Sequence, residues 1–517
     1  MKKFVSIFLT LAMILAMSTV AFAAETTLTI DGEEGRTYNG YKLLDLTVSL
    51  KANCDCAEGA THKDTCYNYA YTVNETYEEI LQELAGEGND IIEYLTGLTS
   101  DSDSGYGTLR DVADDIFKAI KENSKITPDA ENLDGNNNTI DQGYWLFADV
   151  TSLDNQNEAN SLVMVDTAGQ DPVTINPKTA LPTVEKKVKD ITDSEDANID
   201  DNAWQDSADH DIDDTVPFKL TATLPSNFAY YDTYQIVFHD TLSAGLTLDT
   251  DSIKVYMYNT KAEADADTEL DDGTDVTASF TTTATGLDDD CTFEVSCANV
   301  TAIENVNKDT VFVVYYEATL NENAEIGAEG NPNEVYLEFS NNPYDEGTGE
   351  TEKDEVIVFT YKLIINKTDA EGKALKGAGF TLYKKNSNSE YVPIGGELVG
   401  NDMTTFEWEG LDDGDYKLVE TTVPAGYNKM TDIEFTITAT HTNDPEELKL
   451  TSLGGGEMGT GAVETGAIEK DIVNNTGTIL PETGAEGTLM LITISTMLVI
   501  VACVFMVTRK KMSIYED

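Results

Sequence analysis

Five polar side chains fall where the alternation of a strand turns them inward, and a sixth closes a strand. Lys186 lies between Val184 and Val188 at a period of two, so all three share a face and the amine points into a core. Lys367 has the parity of Leu363 and Ile365, and Glu420 that of Tyr416 and Leu418. Asn333 heads a run whose Val335, Leu337 and Phe339 share its face, Asn474 pairs in the same way with Ile472, and Asp240 closes a strand. Away from water a lysine gives up its proton and becomes a nucleophile, whereas a carboxylic acid keeps its proton and polarises an amide carbonyl beside it. Lys187 and Asn341 are the near alternatives to Lys186 and Asn333, since Asn341 also has inward parity; Asn475 is the alternative to Asn474.

Other chemistries find little support. His239 and Asp240 are adjacent on a strand and so point to opposite faces, which argues against a catalytic pair. The four histidines, at 62, 210, 239 and 441, have no spacing that suggests a catalytic set, and neither a GxSxG elbow nor an HExxH helix is present. The chain therefore reads as a protein that is not an enzyme and needs no cofactor. Cys54, Cys56, Cys66 and His62 have the donor types of a tetrahedral zinc site, but an oxidising exterior favours disulfide or free thiol there. Cys291 and Cys297 are close enough for a small disulfide loop.

The elements that must hold the six residues are mostly strands. Residues 25–177 alternate between strand patterns, such as TTLTI and Gly143 to Ala148, and helical patterns over Tyr77 to Leu98 and Leu109 to Ser124, which predicts a mixed α+β domain. Residues 178–360 contain only short strand-like runs between acidic turns and predict a β-sandwich; 361–477 carry further alternating strand runs, such as Leu363 to Lys367 and Gly414 to Glu420. The fold class is therefore mainly β, with tandem immunoglobulin-like sandwiches after an α+β domain. The excess of 95 acidic over 32 basic residues, a net charge of −63, opposes binding to nucleic acid.

The two ends read as targeting segments. Lys2 and Lys3, an apolar stretch and Ala21-Phe22-Ala23 predict a cleaved signal peptide over 1–24. At the other end an apolar run over 488–507 is long enough to span a bilayer, and Arg509-Lys510-Lys511 at its end keeps the tail, 508–517, in the cytoplasm.

Four stretches carry a resemblance. Leu480-Pro481-Glu482-Thr483-Gly484, followed by that run and its cations, resembles the LPXTG sorting signal of Gram-positive surface proteins. VTINPKTALPTVEKKV, from Val173 to Val188, resembles the pilin motif of sortase-assembled pilins, although Asn176 stands where the family usually has tyrosine. YKLIINKTDAEGKALKGAGFTLYKK, FEWEGLDDGDYKLVETTVPAGYN and IEKDIVNN resemble a Cna protein B-type domain, with Glu420 in its E-box. Residues 178–360 are similar to the second domain of major pilins.

The resemblance implies a structural shaft subunit of a pilus. A sortase would cut between Thr483 and Gly484 and join Thr483 to Lys178 of the next copy. Isopeptide bonds would form between Lys186 and Asn333, assisted by Asp240, and between Lys367 and Asn474, assisted by Glu420. The implied partners are sortase, further copies of the chain, peptidoglycan, minor pilins and host surface ligands, and the implied location is the cell wall and surface. A wall-anchored adhesin or pilus tip protein is the alternative; it needs the sorting signal and no acceptor lysine.

Overall fold

The computed structural model describes residues 21–22, 25–31, 35–51, 67–98, 108–135, 138–153, 156–169, 172–175, 180–190, 203–444, 447–477 and 486–512. The protein is mainly β, with α+β structure in its N-terminal part, one short helix, Lys261–Ala266, in the middle part where only strands were expected, and one long apolar helix near its C-terminal end.

In the N-terminal part a six-stranded sheet is built on the long strand Tyr38–Leu50. Alternation along Gly143–Asp149 gives the sheet two apolar faces. Leu146 and Ala148 pack under the helices, and Trp145 and Phe147 pack on a three-stranded sheet that includes Glu25–Ile30. The stretch expected to be helical over Tyr77 to Leu98 is two helices, Glu78–Ala85 and Ile91–Gly97. Gly86 and Gly88 take φ of +88° and +84° and end the first, and Asp90 caps the second by accepting from Glu93 N.

The middle part is a sandwich of a six-stranded and a seven-stranded sheet closed over one apolar core. Thr183–Lys189 pairs with Thr215–Thr223, setting Lys186 opposite Leu220, and Thr215–Thr223 pairs in turn with Val311–Leu320. In the facing sheet Asn331–Ser340 lies between Ile236–Leu242 and Asp354–Phe359.

The third part is also a sandwich. Tyr361–Asp369 pairs antiparallel with Thr405–Leu411 and parallel with Ala467–Asn474, with Lys367 opposite Ile472 and Asp369 opposite Asn474. Gly414–Thr422 lies inside the opposing six-stranded sheet.

The parts are joined by specific contacts. Tyr344 meets Phe117 edge-on at 5.0 Å, and Asn341 Nδ2 donates to Leu153 O at 2.9 Å, linking the first and middle parts. Between the middle and third parts, Tyr361 OH donates to Asp209 at 2.8 Å and Lys384 pairs with Asp211 at 2.6 Å. Gly466 lies so close to Gly327 that a Cβ on it would come within 2.7 Å of backbone, so no larger residue fits there. The helix Glu486–Met512 carries an apolar window, Leu491–Arg509, of mean hydropathy 2.5, long enough to cross a membrane.

Candidate functional site

Strand alternation delivers all six inward-facing residues to the two sandwich cores. In the middle part, Lys186, Asp240 and Asn333 are each fully buried. Lys186 comes from one sheet and Asp240 and Asn333 from the other, so the cluster bridges the layers. Lys186 Nζ contacts Asp240 Oδ2 at 2.5 Å and donates to Tyr316 OH at 3.1 Å. Asn333 Nδ2 donates to the same hydroxyl at 2.7 Å, and that hydroxyl lies 3.1 Å from both Asp240 oxygens. Tyr316 therefore accepts from the amine and the carboxamide while donating to the acid. The sequence reading missed it, although its parity with Phe312 and Val314 on Val311–Leu320 turns it into the same core.

Burial moves the two ionisable partners towards neutrality. Loss of water pushes Lys186 down to about 8 despite the attraction of Asp240. The same loss raises Asp240 above the usual carboxylate range, against the opposing pull of Lys186 and the Tyr316 hydrogen bond. The form with a neutral amine and a protonated acid is thus made accessible, with one proton shared between them.

In the third part Lys367 and Glu420 are fully buried and Asn474 almost so. Asn474 Nδ2 donates to Glu420 Oε1 at 2.6 Å, and Met430 N donates to Glu420 Oε2 at 2.8 Å. Lys367 Nζ is held by backbone carbonyls, Ile472 O at 2.7 Å and Thr368 O at 3.1 Å, rather than by an ion pair with Glu420. Desolvation lowers the lysine below its ordinary value, countered by the charges of Glu420 and Asp369. The Ile472 contact aims the amine along the last strand, two residues short of Asn474.

Both clusters share one further feature. The side-chain carbonyl oxygens of Asn333 and Asn474 are buried and accept no hydrogen bond, although each amide nitrogen is paired. A buried carbonyl left this way costs about 1–3 kcal/mol, and a protonated carboxyl or an incoming N–H would relieve it.

The alternatives are placed elsewhere. Lys187 pairs with Asp206 at 2.5 Å and Glu185 at 3.3 Å, outside the core cluster. Asn341 is buried, but at the junction with the N-terminal part, and Asn475 is exposed. Cys291 and Cys297 form no disulfide: Cys297 faces the core with Phe293 and Val295, whereas Cys291, in the turn before that strand, faces His239. Lys178, Leu480, Pro481, Glu482, Thr483, Gly484, the group Cys54, Cys56, His62 and Cys66, and residues 1–20 lie outside the described residues.

Fold and clusters together define a class: a tandem β-sandwich protein in which each sandwich holds a desolvated lysine, an acid and an asparagine in its core. Residues 361–451 match the family model described as the prealbumin-like fold domain of SpaA. The trypsin-resistant surface T6 protein of Streptococcus pyogenes serotype M6 is 27% identical over 269 residues, covering 49% of this chain and 45% of that protein. The chain thus spans less than half the length of this curated relative. Among solved structures, the T6 backbone pilin of the same serotype aligns over 89% of this chain and 99% of its own, at 18% identity and a TM-score of 0.48. The major pilin SpaA of Corynebacterium diphtheriae aligns over 87% and 100%, at 12% identity and a TM-score of 0.42.

Proposed function

We propose that this protein is the shaft subunit of a covalently polymerised pilus on the cell surface, hardened from within by two lysine–asparagine isopeptide bonds. The observation that carries the reading is the repetition of one buried trio, Lys186 with Asp240 and Asn333, then Lys367 with Glu420 and Asn474, in successive sandwiches. In each, the neutral amine attacks the asparagine Cγ while the protonated acid polarises the carbonyl oxygen. The bond from Cγ to Nδ2 breaks, the amine's proton passes by way of the acid to the departing nitrogen, and one ammonia leaves per bond formed. Each site reacts once, on its own chain, so the protein is not an enzyme in the turnover sense, and the step needs no cofactor.

Polymerisation uses the segments that flank this body. Sortase cleaves between Thr483 and Gly484 and joins the Thr483 carbonyl to Lys178 of the next copy. The apolar helix holds the chain in the membrane until that cut, and the last subunit is passed to peptidoglycan. Lys178 stands in the sequence between Pro177 and Pro182. Links of this kind carry tension through covalent bonds where noncovalent contacts would yield.

The test is a cell-wall extract run in hot detergent. A ladder of multimers is expected from the native chain, and a single anchored band from Lys178→Ala. A ladder that survives Lys178→Ala overturns the acceptor assignment; a native chain that gives only the single band is an adhesin or tip protein instead.

A further inference from the structure

On the outer face of the middle sandwich, opposite the buried trio, four side chains of different chemistry converge. His239 follows the strand alternation outward while Asp240 points in. Glu294 stands directly across from it on Phe293–Cys297, and Asp289 and Cys291 come from the turn before that strand. His239 Nδ1 is 2.7 Å from Asp289 Oδ2, 3.6 Å from Glu294 Oε1 and 4.0 Å from Cys291 Sγ. One nitrogen, one sulfur and two carboxylate oxygens all lie within 4.8 Å of one another.

We propose that His239, Asp289, Cys291 and Glu294 form a binding site for a zinc-like divalent transition metal ion. Tetrahedral zinc takes these donor types at bond lengths of about 2.0 to 2.3 Å, which sets its donor atoms roughly 3.3 to 3.8 Å from one another. The present donor atoms lie 2.7 to 4.0 Å from His239 Nδ1 and within 4.8 Å of one another, a spread that brackets that spacing. Calcium and magnesium take oxygen donors and leave imidazole and thiolate unused, so the donor set selects against them. The His239 Nε2 edge is buried and makes no hydrogen bond, which leaves Nδ1 as the coordinating atom.

The surroundings hold these donors in place. The Tyr336 ring stacks on His239 at 4.4 Å and 3°, fixing the plane of the imidazole, and its hydroxyl donates to Asp289 Oδ2 at 2.9 Å. A partner that orients a ligand in this way typically changes metal affinity by about 10- to 100-fold. Asp289 is exposed and Cys291 half-buried, so an ion has a path from solvent.

The experiment uses the full chain in detergent carrying Cys54→Ser, Cys56→Ser and Cys66→Ser, which removes the other thiol cluster. Titration with zinc chloride is expected to saturate at one equivalent, and cobalt(II) chloride to give a near-ultraviolet charge-transfer band from thiolate to metal. Adding Cys291→Ser should abolish the band. Glu294→Gln should weaken zinc binding, and Tyr336→Phe should weaken it about 10-fold, both with an unchanged far-ultraviolet circular dichroism spectrum. Absence of zinc binding, persistence of the band in Cys291→Ser, or equal competition by calcium chloride overturns the proposal. None of these readouts depends on polymerisation or on the internal bonds.

Discussion

The Glu420→Gln substitution isolates the contribution of the Lys367–Asn474 bond proposed for the third part. Glutamine keeps the volume of Glu420, so no cavity opens, and rotation of the Asn474 amide lets its unpaired carbonyl oxygen accept from the new NH2 group. What is lost is the carboxyl group that the proposed step uses to polarise the amide. Lys367 and Ile472 are 105 positions apart, and Asn474 lies two residues further on, so the bond closes nearly the whole domain into a loop. In the chain-entropy treatment a cross-link over a loop on the order of 100 residues removes about 4.7 kcal/mol of unfolded-state freedom. For a domain of this size 1 kcal/mol corresponds to about 4 °C in Tm, so the domain should melt on the order of 20 °C lower. Calorimetry gives the shift, and a tryptic map gives the chemistry: the native chain should yield a branched peptide joining Lys367 to Asn474, one ammonia lighter than its parts, and the variant two linear peptides. If the effect acts through the bond, Lys367→Met together with Glu420→Gln should melt close to Glu420→Gln alone, a non-additivity diagnostic of shared function. A branched peptide surviving in Glu420→Gln, or a native digest without one, refutes the reasoning.

Two further expectations concern the middle domain. Tyr316→Phe removes the hydroxyl that orients the Asn333 amide and bridges Lys186 to Asp240; newly made chains should lose their ammonia there on the order of 100-fold more slowly, followed by mass spectrometry of cell-free product. The same assay should give a bell-shaped pH profile, because the reactive form of the Lys186 and Asp240 pair carries one proton in total. Below the raised pKa of Asp240 both groups are protonated and no nucleophile is present. Above about 8 Lys186 is neutral but the acid has lost its proton, so the rate falls as pH rises through that value. A rate that keeps climbing with pH would mean that only the amine titrates in the reaction.

How much of this was legible in the chain follows from the range of each interaction. Facing is local: a strand repeats every two residues, so Val184 and Val188 already place Lys186 inside, and Tyr416 and Leu418 do the same for Glu420. Apolar length is local as well, and the 488–507 run became part of the Glu486–Met512 helix. The mixed fold of the N-terminal part could be read in the same way, except where Gly86 and Gly88 divided an apparently continuous helical pattern.

Meeting is not local. Lys187 with Asn341 and Lys186 with Asn333 were both compatible with the chain, and only the packing of one sheet on the other brought Lys186 onto Asp240 and Tyr316 while sending Asn341 to the junction with the N-terminal part. Tyr316 had inward parity but no partner that spacing could name. His239 looked isolated among the histidines until the turn before Phe293–Cys297 folded Asp289 and Cys291 over it. Sequence determines which way a side chain points, because that depends on its nearest covalent neighbours; what it points at depends on strand register and sheet packing, which arise from contacts far along the chain.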